Sequence, residues 1–216
     1  MIPMVSLLNA MLVIVLVMNL FALGTSRILA VIRTVAAQGV LLSFIPLLVH
    51  PQHGWGMFFM TATTIALKGI AIPAIMIRAL RDAHIKREVE PLIGLLPSIL
   101  LGALTTGAAL LFAGHLPLAP QHTGTLLVPA SIATVLVGFI LLTTRYKALT
   151  QVVGYLVLEN GIFIFGMLLV GAMPFVVEMG VLLDLFVGVF VICIIVNHIN
   201  QAFSSMDTRQ LATLQE

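Results

Sequence analysis

Charge is what this chain has least of. Only 8% of its 216 residues are Asp, Glu, Lys or Arg, against 61% hydrophobic, and its mean hydropathy is +1.19. That balance excludes a soluble globular domain and belongs in a lipid bilayer. Long polar stretches are missing as well. The longest are Arg81–Glu90 and Gln201–Glu216, and neither can build a core of its own. Cysteine is nearly absent: Cys193 stands alone inside the last apolar run. This rules out an internal disulfide framework and a thiolate cluster for zinc or iron–sulfur. The histidines (His50, His53, His84, His115, His122 and His198) fall in loops or near the ends of apolar runs. None makes an i, i+4 pair, so no metal site is expected from this chain. Cofactor motifs and nucleophile constellations are lacking too, so no cofactor and no activity are expected from the chain alone. No basic residue precedes the first apolar run, which has no small-residue cleavage site and is followed by Arg27. It is therefore expected to be a retained span, not a removed signal peptide.

What is present is a succession of apolar runs, each near the ~20 residues that a helical span requires. Seven are expected, at 4–23, 29–49, 57–80, 92–114, 125–144, 149–171 and 176–198. The fold class is all-α, a polytopic membrane protein with short loops and a tail over 201–216.

The basic residues sort by loop. Arg27 and Arg33 flank the first, Arg78, Arg81, Lys86 and Arg87 surround the third, Arg145 and Lys147 occupy the fifth, and Arg209 lies in the tail. The loops around His50–Gly56, His115–Gly124 and Gly171–Glu178 contain no Lys or Arg. The net charge of +2 and pI near 9.0 therefore read as topology charges of a membrane protein, not as a nucleic-acid surface. The positive-inside rule places the N-terminus outside and the C-terminus in the cytoplasm.

Three ionisable residues break this pattern by lying inside apolar runs: Lys68, Glu159 and Asp184. A charge at the bilayer centre costs roughly 2.5–3.5 kcal/mol on insertion scales, so such residues are presumed functional. Counted from the basic side they lie about 17, 14 and 21 Å deep at 1.5 Å per residue, a staggered set. Groups at such depths, if joined by water, are suited to pass protons, because burial shifts carboxylate and amine pKa values by several units. The competing reading is that they glue helices together as ion pairs or hydrogen bonds. Glu178, at the outer end of the last run, reads as an interfacial charge.

Several neighbours bear on these positions. Pro73 lacks the N–H that would bond the carbonyl of Gly69, so a local bend near a hydrated site is expected beside Lys68. Pro46 likewise frees the carbonyl of Leu42, beside Ser43, and reads as an ordinary transmembrane proline. Gly154, Gly161, Gly166 and Gly171 punctuate the sixth run and Gly188 the seventh, and read as close-packing positions. Asn160 either orients Glu159 or bonds a neighbouring helix.

An offset of 116 residues places Lys68 on Asp184 and Ser43 on Glu159. The pattern is compatible with two parallel three-helix units, 1–90 and 115–200, joined by a linker helix at 91–114.

The stretch from about 125 to 200 resembles the K subunit of respiratory complex I and the C subunit of Mrp-type antiporters. Gly154, Asn160 and Asp184 carry that resemblance, with Asp184 in place of a third-helix glutamate. The family's second-helix glutamate position is held here by Leu156, so Glu159 departs from the pattern by about one turn. The whole chain is similar to membrane component E of hydrogenase-4-type complexes, the group 4 nickel–iron hydrogenases and formate hydrogenlyases. Length, layout, Lys68, Glu159-Asn160-Gly161 and the Glu178/Asp184 spacing carry this second resemblance. It implies a membrane-arm subunit of a complex-I-like redox complex in a prokaryotic inner membrane, translocating protons or sodium through Lys68, Glu159 and Asp184. It also implies antiporter-like partner subunits, with a nickel–iron centre and iron–sulfur clusters on partners only. A stand-alone secondary transporter and a passive scaffold are the alternatives.

Overall fold

The computed structural model describes residues 2–49, 55–82, 89, 91–117 and 124–169. Among these residues every regular element is helical, and β-type contact is confined to isolated bridge residues, such as the pair Pro91 and Arg145. This is what apolar sequence dictates, since in hydrocarbon a helix satisfies its own backbone polar groups. The order is α1 (Ile2–Gly24), α2 (Ile28–Ser43), α3 (Ile45–Val49), α4 (Trp55–Thr64), a π-helical segment (Ile65–Ala71), α5 (Ile72–Asp82), α6 (Leu95–Gly114), α7 (Leu127–Thr144) and α8 (Ala148–Leu169). Joined across their breaks, they make six segments long and apolar enough to cross a membrane. These coincide with the first six expected runs. The seventh, 176–198, lies outside the described residues, together with Gly171, Glu178, Asp184, Gly188 and Cys193.

Both prolines interrupt their helices, each in its own way. Pro46 acts as more than an ordinary transmembrane proline: α2 ends at Ser43, Phe44 takes the turn with its N–H on the Leu41 carbonyl at 3.3 Å, and helix resumes at Ile45. At Pro73 the helix changes register. The seven residues before Ile72 are wound as a π-helix, and the Ile72 N–H reaches back five residues to the Leu67 carbonyl. Pro73 cannot bond Gly69 in α-register, and a wider turn upstream is one way to absorb that loss.

α7 is the central helix and α6 the peripheral one: 61% of the α7 span is buried against 17% of the α6 span. α7 and α8 approach to backbone contact. A β-carbon at Gly154 would lie 2.6 Å from the Leu142 backbone nitrogen, and one at Gly161 2.6 Å from that of Val135. These two glycines are close-packing positions of the kind the sequence suggests, whereas a β-carbon at Gly166 would meet nothing within 4 Å among the described residues.

The basic turns meet at one end of the bundle. The Val89 N–H bonds the Ser26 carbonyl at 2.6 Å, and the Leu92 N–H bonds the Thr144 carbonyl at 2.8 Å. Arg145, expected as a loop charge, is only 1% exposed and donates from Nη2 to the Leu23 carbonyl at 2.8 Å, capping the C-terminal turn of α1. Burial pushes its guanidinium down from the ordinary arginine pKa. At the other end Asn9 clamps the start of α7, donating to the Gly124 carbonyl and accepting from the Leu126 N–H, both at 2.9 Å.

The apolar core is in two halves. One gathers Leu23, Ile32, Val35, Ile72, Met76, Val137 and Val157 near the basic end. The other gathers Leu12, Val15, Leu42, Ala133 and Ile164 towards the opposite end. Between them lies a layer of polar side chains.

Candidate functional site

On α1, α2, α7 and α8 the polar residues of that layer fall between members of the two apolar clusters, and Lys68 joins them from the π segment. Lys68 comes from the π segment, Glu159 and Asn160 from α8, Gln38 from α2, Asn19 from α1 and Thr134 from α7. All six are buried. Lys68 Nζ lies 3.0 Å from Glu159 Oε1. The depths of Lys68 and Glu159 inferred from residue counts thus meet in one ion pair, the long lysine stem spanning the difference. Neither carboxylate oxygen of Glu159 accepts an aligned hydrogen bond among the described residues, so Glu159 is held by charge contact.

The lysine is positioned from several sides. Gly39 of α2 lies against its stem, with a hypothetical β-carbon 3.1 Å from Lys68 Cβ. Phe163, one helical turn beyond Glu159, presents its ring with the centroid 5.6 Å from Nζ, in cation–π range. Nζ donates to Asn160 Oδ1 at 3.4 Å.

A row of amides continues from there. Asn160 Nδ2 donates to Gln38 Oε1 at 3.2 Å, Gln38 Nε2 donates to Asn19 Oδ1 at 2.8 Å, and Asn19 Nδ2 donates to Thr134 Oγ1 at 2.9 Å. Gln38 Nε2 also approaches the Val15 carbonyl at 3.5 Å. Asn160 thus bonds two neighbouring helices. The row crosses the bundle sideways and joins five separate stretches of chain.

Beside the ammonium is a small cavity between α2, α5 and α8, with about 20 Å³ open to the centre of a water molecule. One water needs ~10–15 Å³ by that measure. Gly39, Lys68, Pro73, Met76, Leu156 and Asn160 are among its walls. Leu156 and Glu159 are three residues apart on α8, hence neighbours on one helix face.

Of the residues singled out from the sequence, the structure brings together Lys68, Glu159 and Asn160, with Pro73 lining the adjoining cavity. Gly69 packs against Val40. Ser43 is buried but turns to its own helix, donating to the Gly39 carbonyl at 2.8 Å. Asp184 lies outside the described residues. Gln38, Asn19 and Thr134 were missed. The signal available was an amide in mid-run, Val-Met-Asn19-Leu-Phe and Ala-Ala-Gln38-Gly-Val, which a search for charge passes over.

No protein-family model and no solved structure matches the chain. It is 32% identical over 191 residues to the uncharacterized protein Rv0085 of Mycobacterium tuberculosis, an alignment covering 87% of this chain and 86% of that one.

Proposed function

The chain belongs to the family of that mycobacterial protein, and we propose for it the role of a membrane-arm subunit in a complex-I-like energy-converting hydrogenase or related redox complex. In this reading it contributes to proton or sodium translocation by a buried charge relay. The observation that carries it is the Lys68–Glu159 pair: opposite charges 3.0 Å apart, buried between apolar helices beside a cavity of water size.

Two neighbouring titratable groups each alter the proton affinity of the other. Moving a proton onto Glu159 removes the counter-charge of Lys68, and the next site responds. One charge moved against 100 mV requires about 2.3 kcal/mol. A pKa change of one or two units, at about 1.4 kcal/mol each, is of that size. Asp184 would be the third station. The carboxylate of Glu159 stands one turn from the position that the complex I K subunit uses, but on the same helix face as Leu156, which lines the lysine's cavity. That neighbourhood supports a common role despite the shift. The resemblance to component E of hydrogenase-4-type complexes supplies the rest: antiporter-like partners, redox centres on other subunits, and a prokaryotic inner membrane, in which the positive-inside rule puts the C-terminus in the cytoplasm.

The repeat reading also has a support. α1 and α7 run parallel in a register of 115 to 117 residues, as the bonds of Asn9 and Asn19 record. A parallel duplication with an offset of 116 would pair equivalent helices in that way.

A scaffold role is the second reading, favoured by the amide row that ties five stretches of chain together. The test is ion transfer by the assembled complex in proteoliposomes, normalised to redox turnover, with Lys68→Met, Glu159→Gln and Asp184→Asn. The relay requires a lowered ion-to-electron ratio in each. Wild-type ratios in all three leave the scaffold.

A further inference from the structure

The amide row has a direction. Starting at the Lys68 ammonium, every link is donor to acceptor in the same sense: Lys68 to Asn160, Asn160 to Gln38, Gln38 to Asn19, Asn19 to Thr134. Each amide turns its oxygen towards the cation and its nitrogen away. Aligned dipoles of this kind polarise one another and stabilise the charge at the head of the row.

We propose that Gln38 and Asn19 are positioning residues for the Lys68 charge: the aligned row holds the ammonium in place and passes a change in that charge across the bundle to Thr134 on α7. The purpose of this device rests on the relay reading above, while its geometry does not. The facing groups are few among the described residues. Glu159 supplies the counter-charge from α8, and Phe163 supplies a ring. The row is a further polar contact. The chemistry allows a second state. An ammonium only donates, whereas a neutral amine can also accept. If Lys68 gives up its proton, Asn160 can turn over and donate to it. Gln38 and Asn19 must then turn as well, since two amide oxygens cannot face each other. The last link reverses when the Thr134 hydroxyl donates instead of accepting, which a hydroxyl can do. The lysine proton passes to the Glu159 carboxylate 3.0 Å away; within the row only hydrogen bonds are made or broken, and no proton travels along it.

The test uses the chain in nanodiscs with 15N at lysine Nζ. The protein has only three lysines, Lys68, Lys86 and Lys147, so Lys68→Met assigns the buried signal. Asn19 does not touch Lys68, which makes it the informative site. Asn19→Leu and Gln38→Leu are each expected to move the Lys68 resonance and to speed its exchange with water about tenfold, the worth of one hydrogen bond. The signals of Lys86 and Lys147 should stay put. Thr134→Val, which is nearly isosteric, should move the Lys68 signal in the same direction, and Thr134→Ser should restore it. If the leucine variants do not fold, the Thr134 pair decides. A Lys68 signal unchanged in shift and exchange in the folded variants overturns the proposal, because glue between helices would not be felt at the ammonium. The outcome is separable from that of the relay: wild-type ion transfer in Lys68→Met complexes would remove the relay and leave the resonance shifts standing.

Discussion

Gly39 backs onto the stem of Lys68, so closely that a β-carbon at position 39 would lie 3.1 Å from Lys68 Cβ and 3.4 Å from its Cδ. The glycine is what lets α2 and the π segment approach until Lys68 reaches Glu159 and Asn160. Its role is clearance for a side chain, on a helix whose own backbone is regular.

Enlarging residue 39 should therefore act on the ion pair. Gly39→Val is expected to push the lysine stem outward and to destabilise the chain by about 1–3 kcal/mol, the usual cost of overpacking. Reversible unfolding in mixed micelles checks the stability. The same variant should lose the exchange protection of the Lys68 ammonium.

Judged by its apolar stem alone, Lys68→Met should be nearly silent. The structure says otherwise, because the substitution strands the Glu159 carboxylate. Removing one partner of a buried pair costs about 3–5 kcal/mol, whereas replacing both by apolar residues is often neutral or better. The expected result is that Lys68→Met/Glu159→Leu is more stable than either single variant. Additive destabilisation in the double-mutant cycle would show that the two charges are not coupled.

The α7–α8 contact predicts a contrast among glycines. Gly154→Leu and Gly161→Leu must displace backbone of α7 and should prevent accumulation of folded protein in the membrane. Gly166→Ala meets nothing within 4 Å among the described residues and should be tolerated. It is expected to gain up to about 1 kcal/mol from helix propensity. Yield and thermal stability of the three variants after detergent extraction make the comparison.

Arg145 is expected to matter as a fastener of the basic-side turns. Its Nη2 caps the Leu23 carbonyl, while Nε and Nη1 have no hydrogen-bond partner among the described residues. The lost charged bond, worth about 1.5–3 kcal/mol, is thus partly offset by relief of a buried charge. Arg145→Met should cost less than Arg145→Ala, since methionine keeps the stem packed. Comparing the unfolding midpoints of the two variants tests this order.

Topology can be read at two exposed positions at opposite ends of the bundle, Tyr146 after α7 and Pro117 after α6. In a Cys193→Ser background, Tyr146→Cys should react with an impermeant maleimide only in inverted vesicles. Pro117→Cys should react only in right-side-out ones. The reverse pattern would turn the proposed orientation over.

Hydropathy and length determined the helical spans of this chain, because the hydrocarbon layer imposes one solution on any apolar run of sufficient length. The lone charges at Lys68 and Glu159 were equally plain, since a charge in such a run stands out by composition. That they meet was not plain. Their separation is 91 residues, and whether two helices present these positions to each other depends on helix rotation and axial offset, which packing sets. Pro73 announced a disturbed backbone, but only the neighbours of that segment decide between a kink and a π turn. Gln38, Asn19 and Thr134 are neutral, so nothing in composition marks them. Arg145 looked like a loop charge because its neighbours in sequence are loop residues; its burial follows from three turns converging on it. Their role exists only through partners 19 to 122 positions away in the chain. Tertiary structure alone could place a polar layer between two apolar halves, since that layer is made from one or two residues of each of five chain stretches brought to a common height.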